Sequence, residues 1–306
     1  MTQNIVFNIN IGDQLTSISC GHVIVELIKF LAYQRLQIPY TYQWLKQMVN
    51  KKKDNENEKD TYQSERHFHI ASTALNNLDF VLKAFPHIVP HILLPNPAGP
   101  RGECDHNPPS NKSLLKEIGE ATQPQEVCIA FGSSPISCKE IYRIVLPTVC
   151  HKPQCQSPHI ASDKKIQSSV FRNLVTSEKL CKVFFEPLSP TNMYVFLKKE
   201  LLSNQQVVCS DTFLHVNGYR MPRSCKVVVL NFPANPKNTT CCNDFKIFGN
   251  APSEDLSKLS LDDTSDDDFH EIESTDKVQW FQSTYVMKGF KDCVVNGSSI
   301  INSWLH

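Results

Sequence analysis

The chain holds few glycines, only 10 in 306 residues. Phosphate-binding loops need glycine so that backbone N–H groups can approach the anion. No G-x-x-x-x-G-K-[ST] and no G-x-G-x-x-G occurs, which excludes nucleotide binding by those routes. The chain also lacks a G-x-S-x-G elbow and an H-E-x-x-H pair, so a hydrolase of those kinds is excluded too. Paired Cys-x-x-Cys knuckles are missing, although there are 12 cysteines. Charge has no excess of either sign, with 31 Lys+Arg against 31 Asp+Glu, which argues against a nucleic-acid binder working through a basic field. No apolar run is long enough to span a bilayer. The N-terminus (Thr2, Gln3, Asn4) shows no basic-then-apolar signal pattern, so the expectation is an intracellular protein with reduced thiols.

What is present suffices for a core, since 41% of residues are apolar. Residues 5–9 alternate as a short strand does. Thr16 and Ser17 can cap a helix expected to run to about Gln37, with Pro39 as its stop. That helix is apolar nearly all round, with His22, Glu26, Lys29 and Tyr33 as a narrow polar stripe, so it is expected at the centre of a domain. Residues 47–65, rich in charge, read as a mobile loop. A second amphipathic helix is expected over 71–85, closed by Pro86, and a third over 166–184. Strands are expected at 127–131, 193–197, 206–209, 213–216, 226–232 and 278–287. Two segments read as insertions: 94–126, rich in Pro, Gly and Asn, and a disordered acidic stretch at 233–277. Helices early and strands late give one α+β domain over 1–306, not a doubly wound one. The last residues, 293–306, are a tail that either docks through Ile300, Ile301, Trp304 and Leu305 or frays.

Candidate chemistry is sparse. Cys150, His151, Cys155 and His159 have ligand-like spacing but read as a surface loop, so no metal and no cofactor is expected. A cysteine-dependent enzyme using Cys150 or Cys155 stays as a remote alternative. The run Lys51-Lys52-Lys53 reads as a solvated stretch or a targeting signal. Thr264 and Ser265 precede Asp266, Asp267 and Asp268, a context suited to acid-directed kinases.

Two segments carry more than composition. One is Leu27-Ile28-Lys29-Phe30-Leu31-Ala32-Tyr33-Gln34-Arg35-Leu36-Gln37-Ile38-Pro39, followed by Tyr42-Gln43-Trp44-Leu45-Lys46. The other is Trp280-Phe281-Gln282 with Lys288-Gly289-Phe290-Lys291-Asp292. With weaker matches at Ser137-Cys138-Lys139-Glu140-Ile141-Tyr142, Phe171-Arg172 and Tyr219-Arg220-Met221-Pro222, they resemble the comet family of spindle-checkpoint adaptors over most of the chain.

The resemblance implies a HORMA-like fold, three helices packed on an antiparallel sheet with a C-terminal safety-belt region. It implies a non-enzymatic adaptor of the nucleus and cytoplasm, and of the spindle and kinetochore in mitosis. Such an adaptor binds the closed conformer of mitotic arrest deficient 2 and presents it to an AAA+ ATPase of the thyroid hormone receptor interactor 13 family. That ATPase disassembles the checkpoint complex and silences the checkpoint. The residues implied at the partner surface are Gln34 and Phe171, with Tyr33, Gln37, Leu174 and Val175 beside them. Trp280, Phe281 and Gln282 would form the belt strand at the sheet edge. The ATPase-facing element departs from the family: Leu214-His215-Val216-Asn217 stands where a Pro-Lys element belongs, which shifts the expectation to His215, Arg220 or Arg223. A HORMA-type adaptor for another HORMA partner, in meiosis or DNA repair, is the alternative.

Overall fold

The computed structural model describes residues 4–55, 61–88, 125–147, 161–201, 212–233 and 277–304. The expected sites at Cys150, Cys155, Thr264 and Ser265, the strand at 206–209 and most of both insertions lie outside these residues.

The first helix, α1 (Ser17–Gln34), starts where the Thr16 hydroxyl accepts a hydrogen bond from the Ser19 N–H at 3.1 Å. Val23, Ile24, Leu27, Ile28 and Leu31 are fully buried, so α1 is the central helix that its composition calls for. It packs against α3 (Tyr62–Ile88) and α4 (Asp163–Thr176). Its end comes three residues before Gln37. The Leu36 N–H bonds to the Tyr33 carbonyl and the Gln37 N–H to the Ala32 carbonyl, with Leu36 at φ 56°. This is a Schellman ending in which leucine occupies the left-handed position that glycine usually fills. A left-handed non-glycine residue costs about 1–2 kcal/mol. The missing glycine hides the stop from the sequence.

Three further expectations are corrected. The segment 47–65 is not a loop throughout, because α2 (Tyr42–Asp54) covers its start and α3 begins at Tyr62. In α2, Leu45, Met48, Val49 and Lys52 recur on one face and are buried. Lys51, Lys52 and Lys53 close its last turn, where the helix dipole favours cations. In α3, Pro86 lies within the last turn and does not close the helix. The expected third helix is two helices: Ser177 ends α4, and its hydroxyl accepts from the Leu180 N–H to cap α5 (Glu178–Phe185).

Strands β1 (Asn4–Asn8), β2 (Glu126–Ser134), β3 (Ser137–Val145), β4 (Asn192–Leu201), β5 (Phe213–Val216), β6 (Lys226–Asn231), β7 (Lys277–Ser283) and β8 (Met287–Lys288) form one sheet. Its order is β1-β6-β3-β2-β4-β7-β5, with β8 beside β4. The sheet is mostly antiparallel, yet β6 lies parallel to both β1 and β3, so a purely antiparallel sheet is not what forms. Alternation splits β2: Val127, Ile129 and Phe131 join the helices in the main core, while Cys128 and Ala130 face the other side. There Tyr219 covers the sheet, stacked on Phe196 at 4.3 Å and edge-on to Trp280 at 5.4 Å. The architecture is thus α+β, with helices on one face of a mostly antiparallel sheet. The segment Trp280-Phe281-Gln282 lies in β7 between β4 and β5, one strand in from the edge where it was expected.

The tail folds. Val294–Val295 (β9) and Ser298–Ser299 (β10) form a hairpin around Asn296-Gly297, both at positive φ, as a two-residue turn requires. Helix α6 (Ile300–Ser303) follows and packs on α3. Ile300, Ile301 and Trp304 are buried, and the Trp304 indole N–H donates to the Ser64 hydroxyl at 3.1 Å.

Candidate protein-docking groove at the end of the central helix

Helix geometry puts Phe30 and Gln34 one turn apart on the same side of α1. Against them lie Leu174 and Val175 from the end of α4, and Cys181, Phe184 and Phe185 from α5. Together they line a shallow apolar groove of about 170 Å³. Its floor is core: Leu174 is fully buried and Phe30 meets Phe184 edge-on at 5.6–5.7 Å together with Phe171. Its rim is open: Val175 is 62% exposed and Phe185 83% exposed. Single exposed apolar side chains are ordinary on a protein surface, but Val175 and Phe185 both border one apolar groove, and a contiguous open patch is what marks a binding surface.

The rim is held from behind. Arg35, 1% exposed, lies directly after α1 and forks onto Glu140 of β3, with Nε to Oε2 at 2.9 Å and Nη2 to Oε1 at 2.8 Å. Its remaining N–H groups donate to the carbonyls of Val183, Phe184 and Glu186 at 3.3, 3.4 and 2.9 Å. These are orphan acceptors at the C-terminus of α5, where a cation is favoured. The Tyr142 hydroxyl donates to Glu140 Oε2 at 3.1 Å. Burial and the adjacent Glu140 carboxylate push that phenol well up, which keeps it a donor. A planar guanidinium satisfied on both edges suits this site, where lysine could not span carboxylate and helix end together.

The expected partner residues separate on this frame. Gln34, Leu174 and Val175 meet in the groove, and Phe171 is half-buried beside it, its ring against Phe30. Leu174 offers a floor and not a contact, because it has no exposed surface. Tyr33, 40% exposed, stays on the polar stripe outside the groove lining. Gln37 is not a surface residue. It is fully buried, accepts from the Thr191 N–H at 2.7 Å and donates to the Arg35 carbonyl at 2.6 Å, so a partner cannot reach it without unfolding the corner. His215 lies in β5, 5.5 Å from the Phe281 ring, while Arg220 and Arg223 are exposed between β5 and β6; none lines the groove.

Sequence reasoning missed Phe185, Glu140 and the role of Arg35. A signal existed for Phe185, since it falls off the apolar stripe of α5 that Leu180 and Val183 define. None existed for the Arg35–Glu140 pair, 105 residues apart.

The chain matches no family model and no curated protein. Among the described residues no group of His, Cys, Asp or Glu is arranged to hold a metal, and no helix is long and apolar enough to cross a membrane. The described free cysteines include Cys128 and Cys138, whose thiols burial pushes up, Cys138 to about 11, so neither is an activated nucleophile near neutral pH.

Proposed function

We propose that the chain is a non-enzymatic adaptor of the comet type, which binds the closed conformer of mitotic arrest deficient 2 and offers it to an AAA+ ATPase of the thyroid hormone receptor interactor 13 family. The observation that carries this reading is the groove itself. Gln34, Val175 and the half-buried Phe171, all named from the resemblance, lie together around an open apolar surface with Phe185 on its rim. Burying Phe185 alone is worth roughly 1.5–3 kcal/mol, the size of an interface hot spot. The Gln34 amide can both donate and accept across such an interface. The absence of the nucleotide-binding glycine motifs from the sequence fits an adaptor whose energy source is another protein.

The test is calorimetry of the full chain with closed, ligand-bound mitotic arrest deficient 2. A one-to-one complex is expected, and Gln34→Ala with Phe185→Ala should weaken it at least about 100-fold, as loss of two hot spots would. Both residues leave the core intact, whereas Phe171→Ala would also unpack Phe30. An unaltered affinity in the double variant, or no binding by the wild type, overturns the reading. A wild type that ignores this partner but binds a different HORMA protein through the same groove would point to the alternative adaptor role.

A further inference from the structure

The corner after α1 holds two attachments at once. On one side Arg35 grips the end of α5 and so the groove rim. On the other, Gln37 holds the C-terminal segment: its carbonyl accepts from the Phe290 N–H at 3.0 Å, and its side chain accepts from the N–H of Thr191, ahead of β4, whose carbonyl in turn accepts from the Gly289 N–H at 2.8 Å. The two are tied directly, since Gln37 Nε2 donates to the Arg35 carbonyl at 2.6 Å. Between them stands Leu36 in the left-handed region, a conformation that a leucine keeps only while its surroundings impose it.

The C-terminal segment is built as a clasp around this corner. Asp292 accepts from the Tyr40 hydroxyl at 3.0 Å and from the Ser299 hydroxyl at 2.5 Å. His67 lies between the Phe290 and Trp304 rings, at 5.8 and 6.1 Å, and Trp304 also meets Phe68 edge-on. Gly289 sits so close that a Cβ there would fall 2.5 Å from Gln37 Oε1 and 2.8 Å from the Thr191 carbonyl.

We propose that Arg35, Leu36 and Gln37 form a mechanical coupler, through which docking of the 289–304 clasp sets the groove rim and its undocking releases it. The proposal rests on the groove's being the partner site and supplies its regulation. Closure of the clasp pins Gln37, Gln37 pins the Arg35 backbone, and Arg35 pins α5 with Phe184 and Phe185. Release takes the Phe290 bond from Gln37 and so loosens the bond from Gln37 Nε2 to the Arg35 carbonyl, which lets the guanidinium shift off the α5 carbonyls. Packed elements shift between discrete arrangements in this way and do not deform continuously.

Hydrogen exchange on the full chain tests it without any partner. Gly289→Ala, and Asp292→Ala in case the first does not fold, should raise exchange of the 178–186 amides at least about tenfold. A core control of matched melting temperature, Val228→Ala in β6, should leave those amides as slow as in the wild type. Opening of 290–304 with 178–186 unaltered overturns the coupler, as does equal opening in the control. On the same variants, partner affinity should fall about tenfold, and full affinity with an open rim would also overturn the regulatory role. A wild type that binds no partner sinks the proposed function, and the exchange data then judge the coupler alone.

Discussion

Two aromatic-rich regions flank the end of α1 and meet opposite fates. In the clasp, Phe290 is 7% and Trp304 3% exposed, each against rings of α3. In the groove, Phe185 is 83% exposed, with no ring over it among the described residues. Composition is alike, so the difference lies in whether the fold supplies a cover. The clasp has an intramolecular cover because the chain turns back at Asn296-Gly297 and lays α6 on α3. The rim of α5 has none among the described residues. Aromatic surface covered by its own chain acts on stability, and aromatic surface left open is available to a partner.

The largest effect should come from the group behind the rim. Glu140→Ala leaves the Arg35 guanidinium buried without its carboxylate, at a cost of about 3–5 kcal/mol, seen as a lower midpoint in chemical denaturation. The pair Arg35→Met with Glu140→Leu should restore most of that loss, since no charge is then left alone. If Glu140→Ala is silent, the pair is not what holds the rim.

Next comes the direct contrast of the two regions. Trp304→Ala should cost about 3–5 kcal/mol by emptying a packed site. Phe185→Ala should stay within about 0.5 kcal/mol of the wild type in the same melts. Equal losses would erase the distinction between covered and open aromatics.

The smallest effect is set by pH. Burial lowers His67 below its ordinary value of 6.5, and Asp292, 3.6 Å away, offsets this only in part. A released His67 therefore takes up a proton at higher pH than a docked one. The docked clasp keeps its full stability above that ordinary value and loses it as pH falls through and below it. Thermal melts at pH 7.5 and 5.5 should show a larger drop for the wild type than for His67→Phe. Equal drops would mean that the ring is not held neutral by the clasp.

Much of the fold was legible in residue order. The period of α1, its Thr16 cap, strands β1, β2, β4, β5, β6 and β7, and the core face of α3 all follow from local pattern. Two of the misses share a cause. Residues 62–70 look too polar for a buried helix until Trp304 and Phe290 cover Ser64 and His67. Strand β3 carries Glu140 on its core side, which breaks the alternation unless Arg35 is known to face it. In both, a polar residue has its partner far along the chain.

The sequence by itself determined the local matters: which residues can form helix or strand, where Thr16 starts an element, and which phosphate-loop and hydrolase motifs are missing. These depend on neighbours within a turn or two, so order alone carries them. Tertiary structure alone decided that Gln37 is a buried clamp and not a contact, that Leu36 takes the glycine position, and that Phe185 stays open while Trp304 closes. Those outcomes depend on which surfaces meet across more than a hundred residues. Local periodicity can show that a face is apolar, but what covers it is settled only when the chain folds back.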